Sequence, residues 1–202
     1  MQLDRGYLIV LEGIDGTGKS THTEKLQQAL MARGYPVLRL FEPTKGPWGM
    51  KIRKILTEGR GDVSPEEELS WFINDRKEDV EKNIQPALDE KNIVVMDRYY
   101  YSTAAYQGAL GFDPAKILVD NEAFAPKPDR VLIFNAPPEE CLGRIEKSRE
   151  SKSEFEKLEY LKKVQAIFDT FEGPNIRRIV SRPPQDIVHS EVLRQVEDLF
   201  PG

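Results

Sequence analysis

A layered α/β fold on a mainly parallel five-stranded sheet is what three observations in this sequence predict. Five short apolar runs read as strands: residues 8–11, 37–41, 92–97, 130–134 and 176–180. Helical patterns separate them, as the crossovers between parallel strands require. The first run also passes directly into Gly13-Ile14-Asp15-Gly16-Thr17-Gly18-Lys19-Ser20 and then a helical stretch, which matches G-x-x-x-x-G-K-[ST] in its strand–loop–helix context.

Taken in order, the run Leu8 to Leu11 has no polar alternation, so it predicts a strand buried on both faces. The helix after the loop carries Leu26, Leu30 and Met31 as its apolar face, and Gly34 stops it before Pro36. Residues 37–41 break at Glu42-Pro43, and residues 50–56 return to helical spacing with Ile52, Ile55 and Leu56 apolar. Ser64-Pro65-Glu66-Glu67 is a helix start, with a capping hydroxyl, proline at the first helical position and a glutamate completing a capping box. That helix should run to about Leu88, with Pro86 kinking or ending it. A helix over 102–109 follows the third strand, and Pro137-Pro138 opens another before a charged helical stretch from Arg144 to Lys163. Gly173-Pro174 ends that stretch, and a closing helix covers 186–199.

With 202 residues and 39% hydrophobic composition, the chain suits one domain with a sizeable core. A net charge of −5 argues against nucleic acid as a partner. The lone Cys141 excludes an internal disulfide, and no run reaches the ~20 apolar residues that span a bilayer. The chain reads as a soluble cytoplasmic protein. His22 and His189 lie far apart in the sequence and read as surface or core filler.

The glycine-rich loop carries the clearest chemistry. Its glycines let backbone N–H groups turn around a polyphosphate at a helix N-terminus, while Lys19 reaches terminal phosphates and Ser20 suits Mg²⁺. Asp97 ends a buried strand, where a carboxylate can help hold that ion or simply cap the next helix. Arg98 suits a second phosphate or a surface ion pair. Asp15 is odd inside an anion site unless it faces a sugar hydroxyl. Phe72 and Arg76 share a helix face, so they could stack on and bond a base, or Phe72 could belong to the core.

Three stretches together resemble the thymidylate kinase family: Glu12-Gly-Ile-Asp-Gly-Thr-Gly-Lys-Ser, Phe72-Ile-Asn-Asp-Arg76, and Asp97-Arg-Tyr-Tyr-Tyr-Ser-Thr-Ala-Ala-Tyr-Gln-Gly108. Pro128-Asp129 and Ala136-Pro-Pro-Glu139, with Arg144 beyond, extend the similarity over residues 7–170. The resemblance implies a three-layer P-loop kinase fold with a short helical lid at about 144–157, and Mg²⁺- and ATP-dependent phosphorylation of dTMP to dTDP for dTTP synthesis. It implies that Gly13, Ile14, Asp15, Gly16, Thr17, Gly18, Lys19, Ser20 and Thr21 bind ATP, with Ser20 and Asp97 on the metal. Asp15 would meet the 3′-hydroxyl of the sugar and Arg98 the acceptor phosphate. Phe72 would stack on thymine, Arg76 would bond its carbonyl edge and Thr103 would read its N3 edge. Tyr106 would disfavour a ribose, Phe41 and Pro43 would close over the monophosphate, and Gln107 belongs to the same block. A homodimer is also implied.

The sequence departs from the family pattern in three places. Phe41 precedes Glu42-Pro43 where bacterial relatives usually have arginine. The lid reads Ser153-Glu154-Phe155-Glu156 instead of an Asp-Arg-Phe-Glu element, and the phosphate loop carries Thr17 and no arginine. The lid is therefore expected to supply the catalytic cation, from Arg149 first and then Arg144, with Lys147 and Lys152 as further candidates. Another deoxynucleoside monophosphate or a nucleoside as acceptor, and a non-catalytic nucleotide switch, are the competing readings.

Overall fold

The computed structural model describes residues 3–145 and 153–200. Its sheet holds all five expected strands: β1 (Tyr7–Glu12), β2 (Val37–Phe41), β3 (Ile93–Asp97), β4 (Arg130–Asn135) and β5 (Ile176–Val180). Their order is β2-β3-β1-β4-β5, and every neighbouring pair is parallel. The three central strands are the apolar runs, because helices cover both faces there. Leu8 and Val10 enter one core with Val94, Met96, Val131 and Ile133. Ile9 and Leu11 enter the opposite one with Ile93, Val95, Leu132 and Phe134.

Helices α1 (Lys19–Ala32) and α9 (Gln185–Arg194) cover the second face through Leu26, Leu30, Val188 and Val192. The first face takes α5 (Tyr100–Gly108), α6 (Pro114–Glu122) and α8 (Ser153–Thr170) through Tyr100, Ala104, Ile117, Val164 and Phe168. A smaller cluster of Ile52, Ile55 and Trp71 joins α2 (Pro47–Glu58) to α3 (Pro65–Asp79), with Phe72 packed against it.

The Ser64 cap is present, its Oγ accepting from Glu67 N at 3.1 Å. Pro86 neither ends nor visibly breaks the helical path. A π-helical turn over Val80–Ile84 comes first, and α4 (Gln85–Asp89) then takes Pro86 into its first turn, where the missing N–H is tolerated. Helix α6 was not expected, although Asp113-Pro114 signals it: Asp113 Oδ1 accepts from Ala115 N at 2.9 Å.

Some expectations are corrected. Met31 is 54% exposed, because His22, Leu26 and Leu30 at four-residue spacing set the buried face of α1 and Met31 lies about 100° round from Leu30. Leu56 is likewise outside the α2 core. The closing helix stops at Arg194, followed by a 3₁₀ turn at Glu197–Leu199. Of the charged stretch expected to be helical from Arg144 to Lys163, the described residues lie in α7 (Pro138–Ile145) and α8, and residues 146–152 lie outside the described residues. The two histidines meet in space, their rings stacked 6.1 Å apart beside Phe134, and burial pushes His22 down to about 4. No helix among the described residues is long and apolar enough to cross a membrane.

Candidate active site

Parallel register brings Phe41, Asp97 and Leu11 into one row at the carboxyl ends of β2, β3 and β1. A cleft of about 1180 Å³ opens there, between the loop after β1, α3, α5 and the first half of α8. Its position follows from the topology, since loops leaving the carboxyl ends of β1 and β3 diverge to opposite faces.

Two glycines let the loop fold this tightly. Gly13 has φ 131° and Gly16 has φ 82°, and a Cβ at either would run into a backbone carbonyl, of Phe134 or Cys141 respectively. Helix α1 then begins with Gly18 at its N-cap, no side chain capping it and no acidic residue in its first turn. Its first N–H groups and positive dipole end are thus left for an anion. Lys19 is buried, donating to Ile14 O at 2.7 Å and Thr17 Oγ1 at 3.4 Å. Burial, helped by the nearby Arg98 guanidinium, pushes its ammonium down to about 8.

That value predicts a pH profile. The affinity of the loop for a polyphosphate should fall as pH rises past about 8, because neutral Lys19 loses its attraction for phosphate. Between about 8 and the ordinary lysine value the unfolded chain binds more protons, so the Lys19 contribution to folding stability rises with pH over the same window. Polyphosphate affinity and the Lys19 part of stability should therefore move in opposite directions, which paired binding and denaturation profiles would check.

Ser20 Oγ donates to Asp97 Oδ2, so the hydroxyl and the carboxylate converge although 77 residues separate them. Both are hard oxygen donors, the chemistry that suits Mg²⁺, and among the described residues no group of three or more acidic, histidine or cysteine side chains forms a rival site.

Asp15 and Arg98 form a salt bridge at 2.5 Å. Tyr106 Oη donates to Asp15 Oδ2 at 3.0 Å and accepts from Asp15 N at 3.1 Å, and the Arg98 guanidinium lies 5.1 Å from the Tyr106 ring centre. The Arg98 charge, with Lys19 behind it, holds the Asp15 carboxyl at about 2. Arg98 itself sits at φ 70°, an unfavourable backbone for arginine. Its Nη1 is tied to Ser102 Oγ at 2.9 Å and Gly13 O at 3.3 Å. This strained, multiply held guanidinium is pre-placed at the cleft wall.

Deeper in, Arg76 is 1% exposed. It makes a two-point ion pair with Glu42 and donates to Asn121 Oδ1 at 2.6 Å and Thr103 Oγ1 at 3.0 Å. Phe72 lines the cleft one turn away while also packing on the α2–α3 cluster, so both readings of that ring hold.

Of the sequence-predicted site residues, Asp15, Gly16, Gly18, Lys19, Ser20, Thr21, Phe41, Pro43, Phe72, Arg76, Asp97, Arg98, Thr103, Tyr106 and Gln107 all line this one cleft. Gly13, Ile14 and Thr17 shape the loop from behind, Thr17 Oγ1 donating to Ile14 O at 2.8 Å. Arg144 is not in the lining: it donates to Gly16 O at 3.1 Å and Ser181 O at 3.3 Å, on the outer side of the loop. Arg149, Lys147 and Lys152 lie outside the described residues.

Sequence reasoning missed the residues that hold these groups. Glu12 is fully buried, accepting from Tyr99 N at 2.8 Å and from the Ser102 hydroxyl, and burial pushes it up to about 7. A carboxylate at the end of an apolar strand was the available signal. Glu42 and Asn121 gave none, because their partners come from distant elements, and Glu68 joins the nearby Arg60 to the distant Gln107.

The family model described as thymidylate kinase matches residues 11–192. The chain belongs to the thymidylate kinase family. A thymidylate kinase of Desulfotalea psychrophila is 46% identical over 99% of this chain and 98% of that protein. One from Akkermansia muciniphila is 41% identical, over 98% and 94%. The crystal structure of thymidylate kinase from Ehrlichia chaffeensis superposes with a TM-score of 0.76 at 27% identity, covering 94% of this chain and 98% of that one. Thymidylate kinase similarity thus spans the cleft from the phosphate loop to α8 and reaches the sheet's far edge.

Proposed function

We propose that this chain transfers the γ-phosphoryl group of ATP to dTMP, giving dTDP for dTTP synthesis, and that residues 1–202 act as one cytoplasmic kinase domain working as a homodimer. The observation that carries the reading is the cleft itself, where an uncapped helix start and a buried lysine face a second, separately held cation, Arg98. Two anion positions, one at the helix start with Lys19 and one at Arg98 beside the same loop, are what transfer between two phosphates needs.

Lys19, with the backbone from Gly13 to Thr21, holds the donor phosphates. Arg98 holds the acceptor phosphate in line, and Phe41 and Pro43 cover it. Asp15, ionised and fixed by Tyr106, takes the 3′-hydroxyl of the sugar, while the Tyr106 ring crowds a ribose. Phe72 stacks on the base, Arg76 donates to its carbonyl edge, and Thr103 and Gln107 complete the base pocket. Ser20 and Asp97 would hold Mg²⁺, which when bound neutralises charge on the β- and γ-phosphates. The acceptor oxygen is already anionic at neutral pH, so no general base is required.

The transferring group calls for one more cation, and we assign it to Arg149, with Arg144 second. Arg149→Ala should lower kcat about 10²-fold and Arg144→Ala less, because Arg144 is committed to the Gly16 carbonyl. Equal rates for Arg149→Ala and wild type in a coupled assay would refute the first assignment.

ADP release should be measured with dTMP, dUMP, dCMP, dGMP and thymidine as acceptors. Fastest turnover with dTMP supports the reading. Preference for any other acceptor replaces the substrate, and ATP binding without acceptor-dependent turnover indicates a nucleotide switch.

A further inference from the structure

Glu12 is a buried carboxylate with no part in the chemistry so far. It ends the otherwise apolar strand β1, where an ionised group is costly unless donors surround it. Its donors all come from the segment that follows Asp97. Oε1 accepts from Tyr99 N at 2.8 Å and from Ser102 N at 3.3 Å, and Oε2 accepts from the Ser102 hydroxyl.

That arrangement acts on Arg98 in two ways. The first is through the backbone. Arg98 N donates to Leu11 O at 3.0 Å, and the next amide, Tyr99 N, donates to the Glu12 side chain. Consecutive residues of β1 thus clamp Arg98 from both sides in a left-handed conformation, φ 70°, that arginine does not favour unaided. The second is through the hydroxyl. An ionised carboxylate offers only acceptors, so the Ser102 proton points at Glu12 and an Oγ lone pair is left for Arg98 Nη1, 2.9 Å away. The same Nη1 donates to Gly13 O at 3.3 Å, and Gly13 directly follows Glu12 in the chain. The guanidinium is therefore aimed from the floor of the phosphate loop, which fixes the acceptor cation against the donor site.

We propose that Glu12 is a positioning residue for phosphoryl transfer: through Ser102 and the Tyr99 amide it sets the direction of the Arg98 guanidinium toward the acceptor phosphate. The proposal rests on reading Arg98 as the site of the dTMP phosphate. The competing account makes Glu12 only a remote cap for α5, whose own N-cap supplies no side-chain bond. Thymidine, which has the base and sugar but no phosphate, separates the two.

Calorimetric affinities for dTMP, thymidine and ATP should be measured, each ligand alone, for wild type, Glu12→Gln, Ser102→Ala and the double variant. The measurement belongs at about pH 8, above the Glu12 value of about 7. Glutamine keeps an oxygen for the Tyr99 and Ser102 amides but turns an NH₂ on the Ser102 hydroxyl, whose proton is then forced toward Arg98. Both single substitutions should weaken dTMP binding about tenfold and leave thymidine and ATP within about threefold of wild type. The double variant should bind dTMP no worse than Glu12→Gln, since both residues act on one guanidinium. Three results would make Glu12 merely structural and overturn the proposal: equal losses for dTMP and thymidine, loss of ATP affinity in step with dTMP, or a lowered melting temperature with dTMP affinity unchanged. If Glu12→Gln does not fold, Ser102→Ala decides alone: unchanged dTMP affinity overturns it. Wild-type protein that binds dTMP no more tightly than thymidine would instead overturn Arg98 as the phosphate site, which separates the two failures.

Discussion

Replacing Lys19 with methionine is expected to cut kcat about 10³-fold while leaving the fold intact. The two halves of that expectation have different causes. The ammonium is buried among glycines and bonded within its own loop, so it arrives at the phosphates without rearrangement. Charge fixed in advance in a water-poor site is the largest contribution a protein makes to phosphoryl transfer. Folding should survive because the loop has a second internal tie. The Ile14 carbonyl, which loses its bond to Lys19, still accepts from Thr17 Oγ1 at 2.8 Å. Removing a desolvated cation also relieves a burial cost, the same cost that pushes Lys19 down to about 8. The melting temperature should stay level or rise slightly as kcat collapses. A parallel collapse in melting temperature would show that the lysine mainly braces the loop. Lys19→Arg should also fail, because a planar guanidinium cannot reproduce the point contacts that the ammonium makes to Ile14 O and Thr17 Oγ1.

The strands were readable because burial on both faces leaves a strand almost no polar residues, and β1, β3 and β4 are central. The sheet's order then placed the phosphate loop beside Asp97, as the apolar runs at 8–11 and 92–97 had implied. Helix α6 is short, and its local signal is confined to its Asp113-Pro114 start. The helical path from Pro65 reaches Asp89, close to the expected Leu88, but Pro86 does not end it early, because the π-turn before it leaves Pro86 in the first turn of α4, where it does no harm. For the site, contact-bearing residues with a known pattern were legible, and their supports were not. Arg76 could be named from its spacing to Phe72, but Glu42 follows β2, Asn121 lies on α6 and Thr103 on α5. Nothing local in the sequence links those positions. Asp15 shows where local reasoning stopped: its oddness in an anion site pointed to a sugar hydroxyl, while the side chains it meets, Arg98 and Tyr106, were not legible in the sequence.

Arg76→Leu should be the most destabilising single change in the cleft, by about 3–5 kcal/mol, because it strands a buried carboxylate. Arg76 and Glu42 are 1% and 5% exposed, so water cannot replace the lost partner. Asn121 Oδ1 loses its 2.6 Å donor and Thr103 loses its bond in the same step. For a chain of this size that loss corresponds to a fall in melting temperature of roughly 10 °C. The burial of leucine in place of the guanidinium recovers only a small part, since the cost lies in Glu42. Two measurements distinguish this account from simple cavity formation. Arg76→Leu with Glu42→Gln should be more stable than Arg76→Leu alone, because the stranded charge is gone. The Arg76→Leu deficit should also shrink on acidification. Without the guanidinium, burial leaves Glu42 with a folded pKa above its unfolded one, so the folded state binds the extra proton and stability is regained as pH falls through that window. A deficit that is flat with pH and unrelieved by Glu42→Gln would place the loss in packing instead. Affinity for dTMP should fall in every one of these variants, rescued or not, because the donor to the base edge is absent from all of them.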